Sequence, residues 1–196
     1  MTALEIIKKS AVLLNERKIL DDVSLNNITV SSEETVLENN FTLNRMFELL
    51  KIMMIEISTD YIQLAREKNA YANNGEIDLS TFNNLLKVVE VKKSGVKMPF
   101  KLIDGKLTVQ FTGDCIVKYL TTPNVSSLLD DVDDFKGLAG YDLLIYGLTA
   151  MYCLAVGLFN EYGVYNTIYE QKLAEAKSLK ILTMPMRSWE WANLSN

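Results

Sequence analysis

The chain has 196 residues, of which 48% are hydrophobic and 23% are charged, and its formal net charge is −5. This length and composition are typical of one folded domain and argue against a disordered main body. The acidic balance argues against a protein that grips nucleic acid through its phosphates, because that affinity needs clustered Lys and Arg. The sequence has no histidine, which removes histidine bases, Ser-His and Cys-His nucleophile pairs and most zinc sites.

The N-terminal segment predicts a short amphipathic helix from Leu4 to Ile19, because its apolar residues recur at helical spacing. Thr2 is a suitable N-cap, and Glu5 three residues later completes a capping box. Charged residues interrupt the segment throughout, so it is not a signal peptide, and we expect an intracellular protein. Residues 20–40 are rich in Ser, Asn and Asp and are predicted to form a connecting loop.

The strongest helical signal runs from Phe41 to Tyr71, where apolar residues follow i, i+3, i+4 spacing. The pattern predicts one long helix, buried on more than one side, which is either central to the domain or shared with another subunit. Met46, Met53 and Met54 lie on this stripe. Methionine at this spacing is more typical of core filling than of a promiscuous binding groove.

The middle of the chain, residues 79–122, changes to strand character. Short runs rich in Val, Ile, Thr, Phe and Tyr, such as LKVVEVKK, MPFKLI, KLTVQF and CIVKYLTT, are separated by turn residues. The Asp104-Gly105 pair between two of these runs predicts a hairpin, because glycine tolerates the positive φ of tight turns. We therefore expect an antiparallel β-meander of about three or four strands.

The C-terminal part predicts two more helices after Pro123, which ends the last strand. They extend from Leu138 to Asn160 and from Val164 to Lys180 and are joined near Gly163. A polar tail, residues 181–196, follows. The fold class is therefore α+β, a bundle of about four helices, one of them long, with an inserted β-meander, in a single domain spanning residues 1–196.

The first of these helices contains seventeen consecutive uncharged residues, from Leu143 to Phe159. A membrane helix needs about 20 apolar residues and usually has basic flanks, whereas Asp142 and Glu161 bracket this run. We therefore interpret it as the central core helix and expect no membrane association. Its small residues share one face that would let another helix approach closely, and they are Gly147, Ala150 and Gly157.

No catalytic, cofactor or metal site is predicted. The acidic run from Asp130 to Asp134 does not fit an EF-hand, since Lys136 and Asp142 occupy the positions of the required Gly and Glu. We interpret it as negative charge at the N-terminus of the following helix. No glycine-rich nucleotide motif occurs. The two cysteines, Cys115 and Cys153, are expected to be buried free thiols.

The tail carries Arg187, Trp189 and Trp191 in a polar context after the last helix. A tail that folds back would bury both tryptophan rings in its own domain. A tail that reaches out would use Trp and Arg as anchors, since these residue types dominate interface hot spots. The sequence leaves both alternatives open.

The order of elements resembles that of a family of phage proteins. The stretch DGKLTVQFTGDCIVKYLTTP is followed by an acidic loop, by LLIYGLTAMYCLAVGLFNEYG and by a final helix with a tail. Tyr119 in a strand, the following Pro123, and the Tyr146-Gly147 start of a helix match the family pattern. The chain thus resembles the head-to-tail connector proteins of tailed bacteriophages and prophages, also called adaptors or tail-tube gatekeepers.

The resemblance implies a non-enzymatic virion structural protein that is assembled in the host cytoplasm. Such proteins form a ring, usually of twelve copies, between the portal of the head and the tail or next connector ring. DNA passes through the ring without sequence-specific binding, and the acidic balance is compatible with such a lumen. The C-terminal tails of the family commonly reach the portal, which would make Arg187, Trp189 and Trp191 the docking element.

Two alternatives remain from the sequence. One is a small-molecule enzyme or ligand-binding α+β domain, with a pocket between the meander and the helices. Its candidate polar residues are Tyr119, Tyr152 and Asp142. The other is a membrane-associated phage protein, for example one that acts in lysis, which would use the uncharged helix.

Overall fold

The computed structural model describes residues 1–103, 105–135 and 140–183, the last four of these by their backbone only. These residues form a mixed α+β fold, which confirms the predicted class at that level. The chain divides into two units. We call Met1–Met53 together with Ser127–Asn196 the helical unit, and Met54–Ser126 the sheet unit.

The first helix is shorter than predicted. Helix α1 spans Ala3–Leu14 and begins with the expected capping box, in which Thr2 and Glu5 each bond the other's backbone N–H. Asn15 ends it in the left-handed conformation, with φ of 53°. Because that residue reverses the chain, the predicted continuation to Ile19 is wrong, and a separate short helix, α2, spans Arg17–Leu20.

The predicted long helix ends early. A short helix α3, Glu33–Asn39, occurs in the region expected to be loop, and α4 then spans Phe41–Glu56. A single π-helical turn, Ile57–Tyr61, follows it, and strand β1 spans Leu64–Ala72. The prediction of one helix to Tyr71 is therefore wrong, because the whole of Leu64–Ala72 pairs with a strand that lies far along the chain.

The sheet unit has more strands than predicted. Beyond β1, the strands are β2 Glu76–Ile77, β3 Leu85–Lys93, β4 Val96–Met98, β5 Phe100–Ile103, β6 Lys106–Val109 and β7 Gly113–Thr121. They form a four-stranded sheet in the order β1-β7-β3-β4 and a three-stranded sheet in the order β2-β6-β5. All pairings are antiparallel. The simple meander is therefore wrong, because β7 lies between β1 and β3.

The predicted hairpin is confirmed. Ile103 of β5 pairs with Lys106 of β6, which leaves a two-residue connection, and Gly105 in that connection has φ of +75°. This is the conformation that glycine adopts without steric cost.

The sheet unit has its own apolar core. Val91, Val117 and Leu107 are fully buried, and the rings of Phe82 and Tyr119 meet edge to face with centroids 5.1 Å apart. The opposite, outer face of β3 is charged: the Glu90 carboxylate lies 3.2 Å from the Lys92 ammonium. The alternation of buried and exposed residues along β7 fits a sheet with one solvated face.

Two helices complete the helical unit. Helix α5 spans Asp142–Val156 and α6 spans Phe159–Thr183. They are joined at Gly157, whose φ of +82° ends α5, whereas Gly163 lies inside α6. The predicted junction near Gly163 is therefore wrong. Within the part of the chain that the structure describes, no helix is long and apolar enough to cross a bilayer.

Candidate functional site

The acidic run from Asp130 to Asp134 lies against the start of α1. The backbone N–H of Ala3 donates to the Asp130 carbonyl over 3.0 Å, and the Asp131 and Asp133 carboxylates each lie 3.3 Å from the amino group of Met1. The acidic run thus contacts the first residues at the start of α1. Our prediction that its carboxylates serve the N-terminus of the following helix stays a prediction.

A buried carboxylate holds the segment just before this run. Glu33 of α3 is 8% exposed, and its two oxygens accept hydrogen bonds from the Ser127 hydroxyl and the Leu128 N–H, both at 2.6 Å. The Leu128 carbonyl in turn accepts from the Leu4 N–H at 2.9 Å. Three distant parts of the chain therefore meet at residues 127–128. Sequence reasoning missed Glu33, since it placed this residue in a loop.

Tyr141 joins the same cluster. Its hydroxyl donates a hydrogen bond to Asp133, and this bond, together with desolvation and the charges of Asp133 and Asp131, raises the pKa of Tyr141 to about 12. The phenol is therefore a hydrogen-bond donor over the whole physiological range. Among the described residues, no group of three His, Cys, Asp or Glu side chains could hold a metal ion.

The residues proposed for a ligand pocket belong to different units. Tyr119 packs in the core of the sheet unit, while Tyr152 is buried in the helical unit, where desolvation raises the pKa of its phenol. Asp142 is the first residue of α5. An open groove of about 600 Å³ lies on the sheet unit beside Tyr71, and none of the three candidates lines it.

The residues predicted for helix packing are mostly buried. Met46, Met53 and Met54 are almost fully buried, as is Ala150. A Cβ atom added at Gly147 would meet the Met53 sulfur and approach the Tyr169 ring to 2.8 Å, so this glycine permits a close contact. Gly157 caps α5 and has no atom of this chain within 4 Å of an added Cβ, so its predicted role in packing, between helices or between subunits, finds no partner within the described chain and for a second subunit stays a prediction.

The two cysteines are buried free thiols, as predicted. Burial raises the pKa of both thiols, so neither has the exposed, thiolate-favouring surroundings of a reactive cysteine. The proposed docking residues Arg187, Trp189 and Trp191 lie outside the described residues.

The helical unit exposes an apolar surface at the turn between α5 and α6. Leu154 is 50% exposed and Phe159 is 69% exposed, and Leu158 between them is also exposed. The end of α1 contacts α6, because the Tyr165 hydroxyl donates a hydrogen bond to the Leu13 carbonyl over 3.0 Å. We call Leu154, Leu158 and Phe159 the helix-turn patch. Sequence reasoning assigned this end of the uncharged run to the core, and that is wrong.

The sheet unit exposes apolar side chains on two edge strands that belong to different sheets. In the two sheets formed by the described residues, β4 and β5 are both edge strands, and they are consecutive in the chain. Val96 is 64% exposed and Leu102 is 53% exposed, and Ile103 is exposed as well. We call Val96, Leu102 and Ile103 the edge-strand patch. Exposed apolar residues on edge strands commonly mark binding or aggregation sites.

The fold is that of a mixed α+β protein, and both of its units expose apolar side chains. No protein-family model matches the chain, and no curated protein matches its sequence.

Proposed function

We propose that the chain is a non-enzymatic structural subunit of the head-to-tail connector kind. It forms a ring that joins the portal of a phage head to the tail or to a further connector ring, and DNA passes through this ring. The observation that carries the proposal is the pair of exposed apolar surfaces, the helix-turn patch and the edge-strand patch. Large apolar residues left exposed close together in the chain, such as Leu158 and Phe159, are commonly covered by another protein.

Charge distribution supports the same role. Residues 54–126 carry nine Lys and Arg against eight Asp and Glu, while the rest of the chain carries eleven against seventeen. The acidic excess therefore belongs to the helical unit. A surface with this balance repels the phosphate backbone, which suits a structure that DNA must pass without being held.

The proposed location of the subunit rests on the resemblance of its sequence to the connector proteins. The residues that carry it include Tyr119, in the central strand β7, and Tyr146 with Gly147, in α5. Under this proposal the protein resides in the virion and is assembled in the host cytoplasm. Its partners are the portal, the tail-side component and further copies of itself.

Assembly in the presence of portal tests the proposal. The chain is co-expressed with the portal protein of the same phage, and the product is measured by light scattering after size exclusion and imaged by negative stain. We expect a ring of this chain on the portal. Connectors can stay monomeric in isolation, so the chain alone is the control. Absence of any ring when portal is present would overturn the proposal.

A further inference from the structure

The outer face of the four-stranded sheet carries the open groove of about 600 Å³. Its floor is Ile116 of the inner strand β7, whose side chain is 38% exposed. Ile116 pairs with Asn69 of β1 on one side and with Lys92 of β3 on the other. Residues directly opposite each other in antiparallel strands share one face of the sheet. The three side chains therefore lie side by side in the groove.

An aromatic ring and a tight turn complete the lining of the groove. Tyr71 of β1 pairs with Asp114 of β7 on the same outer face; the Tyr71 side chain is 58% exposed, and Asp114 is exposed as well. The turn between β3 and β4 consists of Ser94 and Gly95, with φ of 50° and 82°. Positive φ at both residues is the geometry of a tight hairpin turn. The strands and this turn thus give the groove a fixed shape.

The charges in the lining are one ammonium and one carboxylate, Lys92 and Asp114. The Lys92 ammonium is already engaged, since it lies 3.2 Å from the Glu90 carboxylate and 4.0 Å from that of Glu67. The Asp114 carboxylate has neither an ion pair nor a hydrogen bond among the residues that the structure describes. The groove therefore combines little net charge with a carboxylate that can accept hydrogen bonds from a ligand.

These groups suit an uncharged ring that carries hydroxyl groups. A pyranose sugar presents an apolar face of C–H groups, which packs well on the negatively polarised face of an aromatic ring such as Tyr71. Its hydroxyl groups can donate to Asp114 and exchange hydrogen bonds with the amide of Asn69. An anionic ligand would be repelled by Asp114. A wholly apolar ligand would cover Asn69 and Asp114 without giving them hydrogen bonds, which costs free energy.

We propose that this groove binds an uncharged oligosaccharide. One sugar ring stacks on Tyr71 and covers Ile116, and its hydroxyl groups form hydrogen bonds with Asp114 and Asn69. The groove is open to solvent, so it accepts a stretch of a sugar chain rather than enclosing a single small molecule. The site would give the sheet unit a binding function of its own, and the proposal does not depend on the connector role.

Titration of the isotope-labelled chain with three uncharged sugars tests the site by NMR. The probes are maltotriose, cellotriose and the trimer of N-acetylglucosamine. We expect at least one of them to bind with a Kd of about 1 mM, with amide shifts confined to Asn69, Tyr71, Ser94, Asp114 and their neighbours. The absence of saturable shifts at these residues with all three sugars would overturn the proposal. A thymidine oligonucleotide that shifts the same residues while the sugars do not would assign the groove to nucleic acid instead.

Substitutions at Tyr71 test the stacking of the sugar ring. Tyr71→Ala should weaken binding of the sugar by about tenfold or more, whereas Tyr71→Phe keeps the aromatic ring and should change the Kd by less than about threefold. Phe159→Ala, at an exposed aromatic position of the helical unit, is the matched control and should bind like the wild type. Wild-type affinity in Tyr71→Ala would contradict the proposed contact. Unchanged amide shifts outside the groove verify that each variant is folded.

Charged sugars test the role of Asp114. The wild-type chain should bind trigalacturonate, an anionic trimer, more weakly than the uncharged sugar. Asp114→Asn should bind trigalacturonate about threefold more tightly than the wild type does, because the repelling charge is removed. Equal affinity of the wild type for the anionic and uncharged trimers would overturn the proposal, as would tighter binding of the cationic trimer of glucosamine than of any uncharged sugar.

Discussion

At the scale of single residues, Gly147 shows how one missing side chain sets the spacing of helices. Its position in α5 places it against the buried Met53 sulfur and the Tyr169 ring of α6. Gly163 is also helical, yet nothing lies within 4 Å of a Cβ atom added there. A side chain at Gly147 would therefore clash with its neighbours, whereas a side chain at Gly163 would affect only helix propensity.

Replacing Gly147 by Ala should destabilise the fold. Overpacking costs about 1–3 kcal/mol, and the gain in helix propensity returns about 1 kcal/mol, so we expect a net loss of up to about 2 kcal/mol. Gly163→Ala should instead raise stability by about 0.5–1 kcal/mol. Urea unfolding measures both. Equal stabilisation by the two substitutions would contradict the packing role of Gly147.

The raised pKa of Tyr141 predicts that the fold loses stability at alkaline pH. Its pKa of about 12 in the folded chain exceeds the ordinary value of 10.0, mainly because the neutral phenol donates to Asp133. The folded state therefore keeps this proton when the unfolded state has lost it. The stabilisation is complete below pH 10 and is lost as the pH rises toward about 12.

Absorbance of the phenolate during an alkaline titration checks this value. The chain has nine tyrosines, and the difference between wild type and Tyr141→Phe isolates one of them. We expect the difference curve to have its midpoint near pH 12. A midpoint near 10 would show that the hydrogen bond to Asp133 does not persist in solution.

At the scale of elements, the short helix α3 holds a segment that lies far along the chain. The helix has seven residues, and its first residue, Glu33, bonds the segment at Ser127 and Leu128 that precedes the acidic run. Strand β1 is a similar case, because its nine residues acquire their conformation from pairing with β7. Both elements are stabilised by partners that are distant in sequence.

The substitution Glu33→Gln should lower the stability of the fold, because it weakens the hydrogen bonds between α3 and residues 127–128. Glutamine can keep its oxygen on the buried Leu128 N–H and turn its NH₂ group to the Ser127 hydroxyl, which can accept. Both hydrogen bonds then lose the charge of the carboxylate, at a cost of about 1–2 kcal/mol. Glu34→Gln, one residue along and exposed, should change stability by less than about 0.5 kcal/mol. Denaturant unfolding of the two variants, with limited proteolysis near residues 122–130, measures the effect. Equal stability of both would show that Glu33 is dispensable.

At the scale of the whole molecule, the two units differ in what they expose. The helical unit combines an acidic excess with the helix-turn patch, and the sheet unit combines clustered lysines with the edge-strand patch. Neither property is visible in the average composition of the chain.

The prediction at this scale concerns binding of the C-terminal tail to the portal. If Arg187, Trp189 and Trp191 anchor the chain to the portal, their joint replacement by Ala should abolish portal binding, since such anchors each contribute about 2 kcal/mol or more. The melting temperature of the isolated chain should not change. Ring formation on portal and thermal unfolding are measured together. A lowered melting temperature with portal binding retained would mean that the tail packs on its own chain.

Local sequence signals identified many elements correctly. The capping box of Thr2 and Glu5, the Asp104-Gly105 hairpin, the two C-terminal helices and the buried cysteines all depend on residues close together in the chain. Hydrogen bonds and preferred φ angles within a few residues decide such features. The coarse α+β class follows from the same local patterns.

Long-range contacts decided the rest. The segment Leu64–Ala72 continues an apolar helical pattern, but pairing with β7 makes it a strand, because tertiary context overrides propensity. The end of the uncharged run is another example: Leu158 and Phe159 look like core residues, yet the reversal at Gly157 leaves them exposed. The sequence by itself determined the class of fold, the absence of histidine chemistry and the local turns and caps. Only the tertiary structure decided which apolar residues are buried and which face outward, because burial depends on partners that are distant along the chain.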